Sequence, residues 1–198
     1  GDFFYKVYKY KDILPQDLVH DLLEFHIVPD IKPKQNAVPS RRPKFDSTLI
    51  KPEHIPIFSS WIDKKDSSHY NEKNIPYKFN LLYKASRDGN TAAAFHAKCD
   101  NKGATLVIVK IRNLNQIVGG YNPLDWNGNG WKNTLDSFLF SFKDGKNIST
   151  AKLGYVKDAN RSVYCGKNFG PHMGDLNCAY YIRSPNKWYY YGGDSYPN

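Results

Sequence analysis

The sequence predicts a mainly β fold with peripheral helices, of the α+β class, built as a two-layer antiparallel β-sandwich. Three observations carry this. Of 198 residues, 15% are aromatic, chiefly Tyr and Phe, which favour strands and bury large flat bodies. Twelve Pro and fourteen Gly punctuate the chain too often for long helices. Several segments alternate apolar and polar residues with period two, as half-buried strands do. The length suits one domain of ordinary size with a short extra segment.

Taken in order, residues 1–28 read as a helical segment. Leu14, Leu18, Leu22 and Phe25 recur at helical spacing, Asp12 is placed to cap, and Pro15 suits the first turn. Residues 29–56 read as a Pro-rich linker, with Pro29, Pro33, Pro39, Pro43, Pro52 and Pro56 breaking regular structure. The domain proper is expected over residues 57–198. Phe58, Trp61 and Ile62 form one apolar helical turn. Tyr77, Phe79, Leu81 and Tyr83 alternate with polar residues and predict a strand. Asn90 or Thr91 caps a helix through Cys99, which Asn101 and Gly103 stop. Residues 106–111 are a nearly continuous apolar run, read as a strand buried on both faces, and residues 116–121 return beside it. Phe138, Phe140 and Phe142 alternate in a further strand. Asp144-Gly145 predicts a hairpin turn, with Gly at positive φ. Residues 150–156, 161–166 and 176–182 complete a set of about seven strands, for which a two-layer sheet structure is the natural packing.

The formal charge is +9. No basic run exceeds two residues (Arg41-Arg42, Lys64-Lys65), so the charge gives weak attraction to acidic partners and no nucleic-acid site. Cys99, Cys165 and Cys178 are too few and too irregular for a disulfide framework, and they point to a reducing compartment, cytoplasm or nucleus. No stretch approaches the ~20 apolar residues of a membrane span. The six His include no HxxxH pair and none stands with Cys at zinc spacing, so no metal or cofactor is expected.

A family resemblance enters through four blocks. Leu81-Leu-Tyr-Lys-Ala-Ser-Arg-Asp-Gly89 is followed by Phe95, Cys99 and Gly103. Next come Ile117-Val-Gly-Gly-Tyr-Asn-Pro-Leu-Asp-Trp126 and Asp136-Ser-Phe-Leu-Phe-Ser-Phe142. The last is Phe169-Gly-Pro-His-Met-Gly-Asp-Leu176, which contains Gly170. In this order they resemble the TLDc domain family. Residues 45–63 resemble the lead-in of fungal BTB–BACK–TLDc proteins, and residues 5–27 the last helix of a BACK region. The late block is poorer in Gly than the family's. The family's acidic-aromatic closing strand has no counterpart after Trp188-Tyr-Tyr-Tyr191, so either truncation or one strand fewer is expected. The resemblance implies a non-enzymatic protein-interaction domain that binds the peripheral sector of the vacuolar proton pump and supports oxidative-stress resistance. It implies a parent protein made dimeric by an upstream BTB domain. It leaves two alternatives: recruitment of substrates to a BTB-type cullin ubiquitin ligase, and a thiol-dependent redox enzyme.

Among the signature residues, Ser86, Arg87, Asp88 and Gly89 invite a hydrolase reading. A serine nucleophile needs a base within hydrogen-bond reach, and nothing in the sequence places His96 there. The expected role is structural: Gly89 bends the chain, Asp88 or Ser86 bonds free backbone N–H groups, and Arg87 ties a carbonyl or carboxylate. Cys99 follows His96 on an Ala-rich helix and reads as buried and inert. Gly103, Gly119, Gly120 and Gly170 are signature positions. Tyr121, Trp126 and Trp131 surround Asn127-Gly-Asn-Gly130 and are the interaction candidates. The two Trp either anchor a partner or cap the end of the sandwich.

Overall fold

Antiparallel pairing organises the chain. The computed structural model describes residues 47–181, 184–190 and 195–196. By contact the chain divides into Gly1–Lys44 and Phe45–Asn198, and the described residues lie in the second unit. The helix expected before residue 28 lies outside them.

Helix α1 (His54–Ile62) comes first. It begins inside the stretch that proline content assigned to the linker. Pro56 sits in its first turn, where backbone N–H groups have no helical partner and a proline costs little. After α2 (Ala85–Asp88) and α3 (Ala92–Cys99) the chain is β-rich. The strands are β1 (Thr105–Lys110), β2 (Ile117–Asn122), β3 (Gly130–Lys132), β4 (Phe138–Phe142), β5 (Ala151–Tyr155), β6 (Val163–Cys165), β7 (Phe169–Met173), β8 (Leu176–Tyr181) and β9 (Ser184–Tyr190). They form three sheets: β1-β2-β4-β5, β3-β6 and β7-β8-β9. The predicted class holds: mainly antiparallel β with peripheral helices.

The four-stranded sheet is packed on both faces, and side-chain alternation decides which residue goes where. Phe138, Phe140 and Phe142 of β4 join Ile117 and meet Phe58 and Trp61 of α1 in one buried cluster, with Leu106, Ile108, Leu153 and Tyr155 at its margin. Trp61 lies 5.9 Å, centroid to centroid, from both Phe140 and Phe142, within the range of favourable ring pairing. The intervening residues Val107 and Leu139 point the other way. They meet a second cluster of Phe95, Cys99, Trp126, Val163, Met173 and Leu176. The period-two pattern read in residues 138–142 is this alternation.

Several expectations are corrected. Residues 77–83 form no strand; among the described residues they pair with no ladder. Phe79 packs on the first cluster, Leu82 and Tyr83 on the second. The alternating residues do not share a face: Phe79 and Tyr83 go to different clusters, and Tyr77 and Leu81 are exposed. The apolar run of β1 is an edge strand, half-buried over its length, although its side chains do serve both clusters. Asp144-Gly145 is not a tight hairpin: β4 and β5 are joined through a 3-10 turn at Ile148–Thr150. Glycine is required at 145 by crowding rather than by positive φ. A Cβ there would sit 2.5 Å from Ile117 Cδ1 and 2.8 Å from the Asn115 carbonyl oxygen. Strands β3, β7 and β9 were not expected. The Trp188-Tyr-Tyr segment lies in β9, paired with β8.

Candidate functional site

The signature bend is locked by its own side chains. The Asp88 carboxylate accepts from the Lys84 backbone N–H (2.8 Å). It also takes a two-pronged contact from Arg87, Nε to Oδ1 at 2.9 Å and Nη2 to Oδ2 at 2.8 Å, the strong fork geometry of a guanidinium on a carboxylate. The Arg87 contact, then the Lys84 N–H, hold the Asp88 pKa down to about 2. Arg87 also donates to the Leu82 carbonyl at 3.3 Å, and the Tyr83 hydroxyl to that of Gly89 at 2.7 Å. Gly89 has φ +97° and ψ 144°, a region closed to branched residues. Gly89→Val is therefore expected to cost on the order of 1–3 kcal/mol of stability, read as a fall in the thermal midpoint. An unchanged midpoint would contradict this account of the bend.

Helix α3 starts where Thr91 accepts from the Ala94 N–H (3.1 Å), which settles the capping alternative in favour of Thr91. Cys99 is 5% exposed, and burial pushes its thiol up to about 12. His96 does not serve it. The imidazole Nδ1 meets Asp100 Oδ1 at 2.7 Å, and Nε2 faces the carbonyl oxygens of Gly166 (3.1 Å) and Phe169 (3.0 Å). His96 thus ties α3 to the β6–β7 connection.

The glycine positions split by cause. Gly103 has φ +73° in open space, but the helix stops before it, at Cys99, with Asp100 as its C-cap and Asn101 at φ 57°. Gly119 and Gly120 lie inside the sheet. A Cβ at Gly119 would land on the Val107 carbonyl oxygen, and one at Gly120 would lie 2.7 Å from Leu139 Cδ2 and 2.8 Å from Met173 Sδ. Gly170 is buried in β7, where the register with β8 shifts.

The three aromatic candidates go to different places. Tyr121 is half-buried on β2, stacked on Phe138 at 5.3 Å, with burial raising its hydroxyl pKa. Trp126 is 1% exposed. Its indole N–H donates to Thr105 Oγ1 at 2.8 Å, and its ring meets Phe95 edge-on at 5.4 Å. It is a core residue, so the anchor reading fails for Trp126. Trp131 is 46% exposed. On β3 it faces Tyr164 across the β3–β6 pair.

Trp131 does not stand alone. Its ring lies 5.3 Å from both Tyr164 and His172. Tyr164 and His172 are 5.2 Å apart, and Phe169 closes the group at 5.3 Å from Tyr164 and 5.9 Å from His172. Tyr164, Phe169 and His172 are each partly exposed. The result is a four-ring surface spanning β3, β6 and β7. Sequence reading missed Tyr164 and His172 as members. The available signal was the Phe169-x-x-His172 spacing inside the late block, but the β3–β6 register sets Tyr164 opposite Trp131, and the packing of β7 beside β6 brings His172 to both.

His172 is the member whose pKa is shifted. Its Nδ1 makes no hydrogen bond among the described residues. Burial pushes its pKa down to about 4, a backbone contact at Gly174 offsetting only part of this. A histidine with a depressed folded pKa stays neutral in the fold while the unfolded chain, titrating near 6.5, takes up a proton. Stability is therefore unaffected above about pH 6.5 and falls as pH drops from there towards 4, by up to about 3 kcal/mol. The carboxylates held low, Asp63, Asp88 and Asp125, lose their contributions only as pH falls below their unfolded values near 3.8. The two windows are thus separate. Denaturant midpoints measured from about pH 7 to about pH 4 should decline for the native chain and stay flatter for His172→Gln. Equal slopes would contradict it.

Among the described residues no helix is long and apolar enough to cross a membrane. Residues 44–192 match the family model of the TLDc domain. No curated protein and no solved structure matches the chain.

Proposed function

The chain belongs to the TLDc family, and from that premise we propose that it is a non-catalytic protein-interaction module that engages its partner through the four-ring surface around Trp131. The observation that carries this reading is the half-exposed Trp131, seated on Tyr164 and His172. A large ring held by its neighbours gives contact area at little entropic cost, which is the character of an interface anchor. The polar signature groups support the same reading because they are engaged by the protein itself. Asp88 holds Arg87 and the Lys84 N–H, and His96 holds Asp100 beside two carbonyls. A thiol pushed up to about 12 is a poor nucleophile at neutral pH, which disfavours the thiol-dependent alternative.

The partner we infer is the peripheral sector of the vacuolar proton pump, with support of oxidative-stress resistance as the consequence; this rests on what the family resemblance implies. The +9 charge would speed encounter with an acidic face without choosing it. The test is capture of the full chain by purified pump peripheral-sector subunits. The native chain should be retained. Trp131→Ala should bind about 30-fold more weakly, the loss of ~2 kcal/mol typical of an anchor, while melting close to the native temperature. Absence of capture, or equal capture by the variant, would overturn the reading. Capture instead of a cullin-ligase client would favour the recruitment alternative.

A further inference from the structure

The two ends of the four-stranded sheet differ in charge and in surface chemistry. One end carries Thr105, Asn122, Phe138 and Tyr155; the other carries Lys110, Ile117, Phe142 and Ala151. At the second end the β1–β2 hairpin tip and the β4–β5 connection are tied together, the Gly145 N–H donating to the Asn115 carbonyl at 2.7 Å. The start of α1 joins them, with His54 edge-on to Phe142 at 4.9 Å and bonded to the Lys51 N–H at 3.1 Å.

Two aliphatic side chains stand out from these tips. Leu114 is 54% exposed and Ile148 is 41% exposed. Each is set by a tight turn. The Leu114 N–H donates to the Ile111 carbonyl at 3.2 Å, and Ile148 opens the 3-10 turn whose entry Asn147 caps. Around them are five exposed cations, Lys51, Lys110, Arg112, Lys143 and Lys146, against Glu53 and Asp144. The Asp144 carboxylate is already engaged by the Lys146 backbone N–H at 3.0 Å. None of the five cations makes an ion pair among the described residues, whereas Lys64, Arg87 and Lys132 elsewhere do.

We propose that this end of the sheet docks onto an anionic lipid surface, Leu114 and Ile148 entering the headgroup–acyl boundary while the five cations meet the headgroups. The charge asks for a polyanionic partner. The relief chooses a membrane over an acidic protein: a protein interface would want a well-packed apolar centre with aromatic or Arg anchors. Here the apolar groups are two separate aliphatics on projecting tips. Insertion of such residues into a fluid interface, with lysines beside them, needs no complementary cavity. Each cation close to an anionic leaflet strengthens binding roughly fivefold. This surface is distinct from the Trp131 rings and does not depend on the proton-pump reading.

The test is co-sedimentation of the full chain with vesicles of phosphatidylcholine alone and with about one-third phosphatidylserine. Binding is expected only to the anionic vesicles. The pair Arg112→Glu and Lys143→Glu should abolish it. The pair Lys102→Glu and Lys167→Glu, equal in charge change but away from the tips, should leave most of it. Leu114→Ser with Ile148→Ser should weaken it, and the emission of Leu114→Trp should shift to the blue on anionic vesicles. Four results would overturn the proposal: no binding to anionic vesicles; equal loss from both charge-reversal pairs, which marks attraction by net charge alone; no effect of the double serine change; or capture of an acidic protein through these tips without vesicle binding.

Discussion

Gly119→Val is expected to prevent stable folding, and Gly119→Ala to cost ~3 kcal/mol or more. Gly119 pairs with Ile108 on one side and Phe140 on the other in the middle of the four-stranded sheet. A Cβ would fall on the Val107 carbonyl oxygen and 2.6 Å from Phe140 Cζ. The first obstacle is backbone of the β1–β2 ladder and cannot step aside. The second is a ring packed against Phe58 and Trp61, so moving it opens the main cluster. Net stabilities of domains are only ~5–15 kcal/mol, and valine adds two further methyl groups to the same collision. Gly103→Ala is the control. Gly103 has positive φ with no atom within 4 Å of its notional Cβ, so the change should cost only about 1 kcal/mol. Thermal unfolding of the three variants checks the ordering, and comparable midpoints for the position 103 and 119 alanines would contradict it.

Trp126→Ala should remove about 3–5 kcal/mol. The ring fills the second cluster between Phe95, Cys99 and Met173, and its removal leaves a cavity that the strands on either side are too constrained to close. The indole N–H bond to Thr105 Oγ1 goes with it. Trp131→Ala removes a ring that is 46% exposed and forfeits only its edge contacts with Tyr164 and His172, on the order of 1 kcal/mol. Urea midpoints should therefore separate two tryptophans that lie five positions apart. Equal losses would mean that Trp131 is as structural as Trp126, and the proposed surface would fail.

These two residues also show where sequence reasoning stops. Both flank the same glycine-containing loop, and nothing in the spacing says which one turns inward. That is decided by long-range register, Trp131 opposite Tyr164 and Trp126 against Thr105 and Phe95. The β4 strand was legible because Phe138, Phe140 and Phe142 all face one layer. The same alternation misled at residues 77–83, where Phe79 and Tyr83 serve different clusters, Tyr77 and Leu81 are exposed, and no described strand pairs with them. Strands β3 and β7 were hidden for local reasons: β3 is three residues long and begins at a glycine, and β7 contains Gly170-Pro171, which read as loop. Gly119 and Gly120 stood out through the family block. The reason they must be glycine appeared only with Val107, Leu139 and Met173 in place.

Amide hydrogen exchange of the full chain, with and without purified proton-pump peripheral-sector subunits, tests the interaction reading most directly. The account predicts added protection concentrated in Gly130–Lys132, Val163–Cys165 and Phe169–Met173, the three strands beneath the four rings. Protection centred on residues 86–89, or no change at any of the three strands, would contradict it.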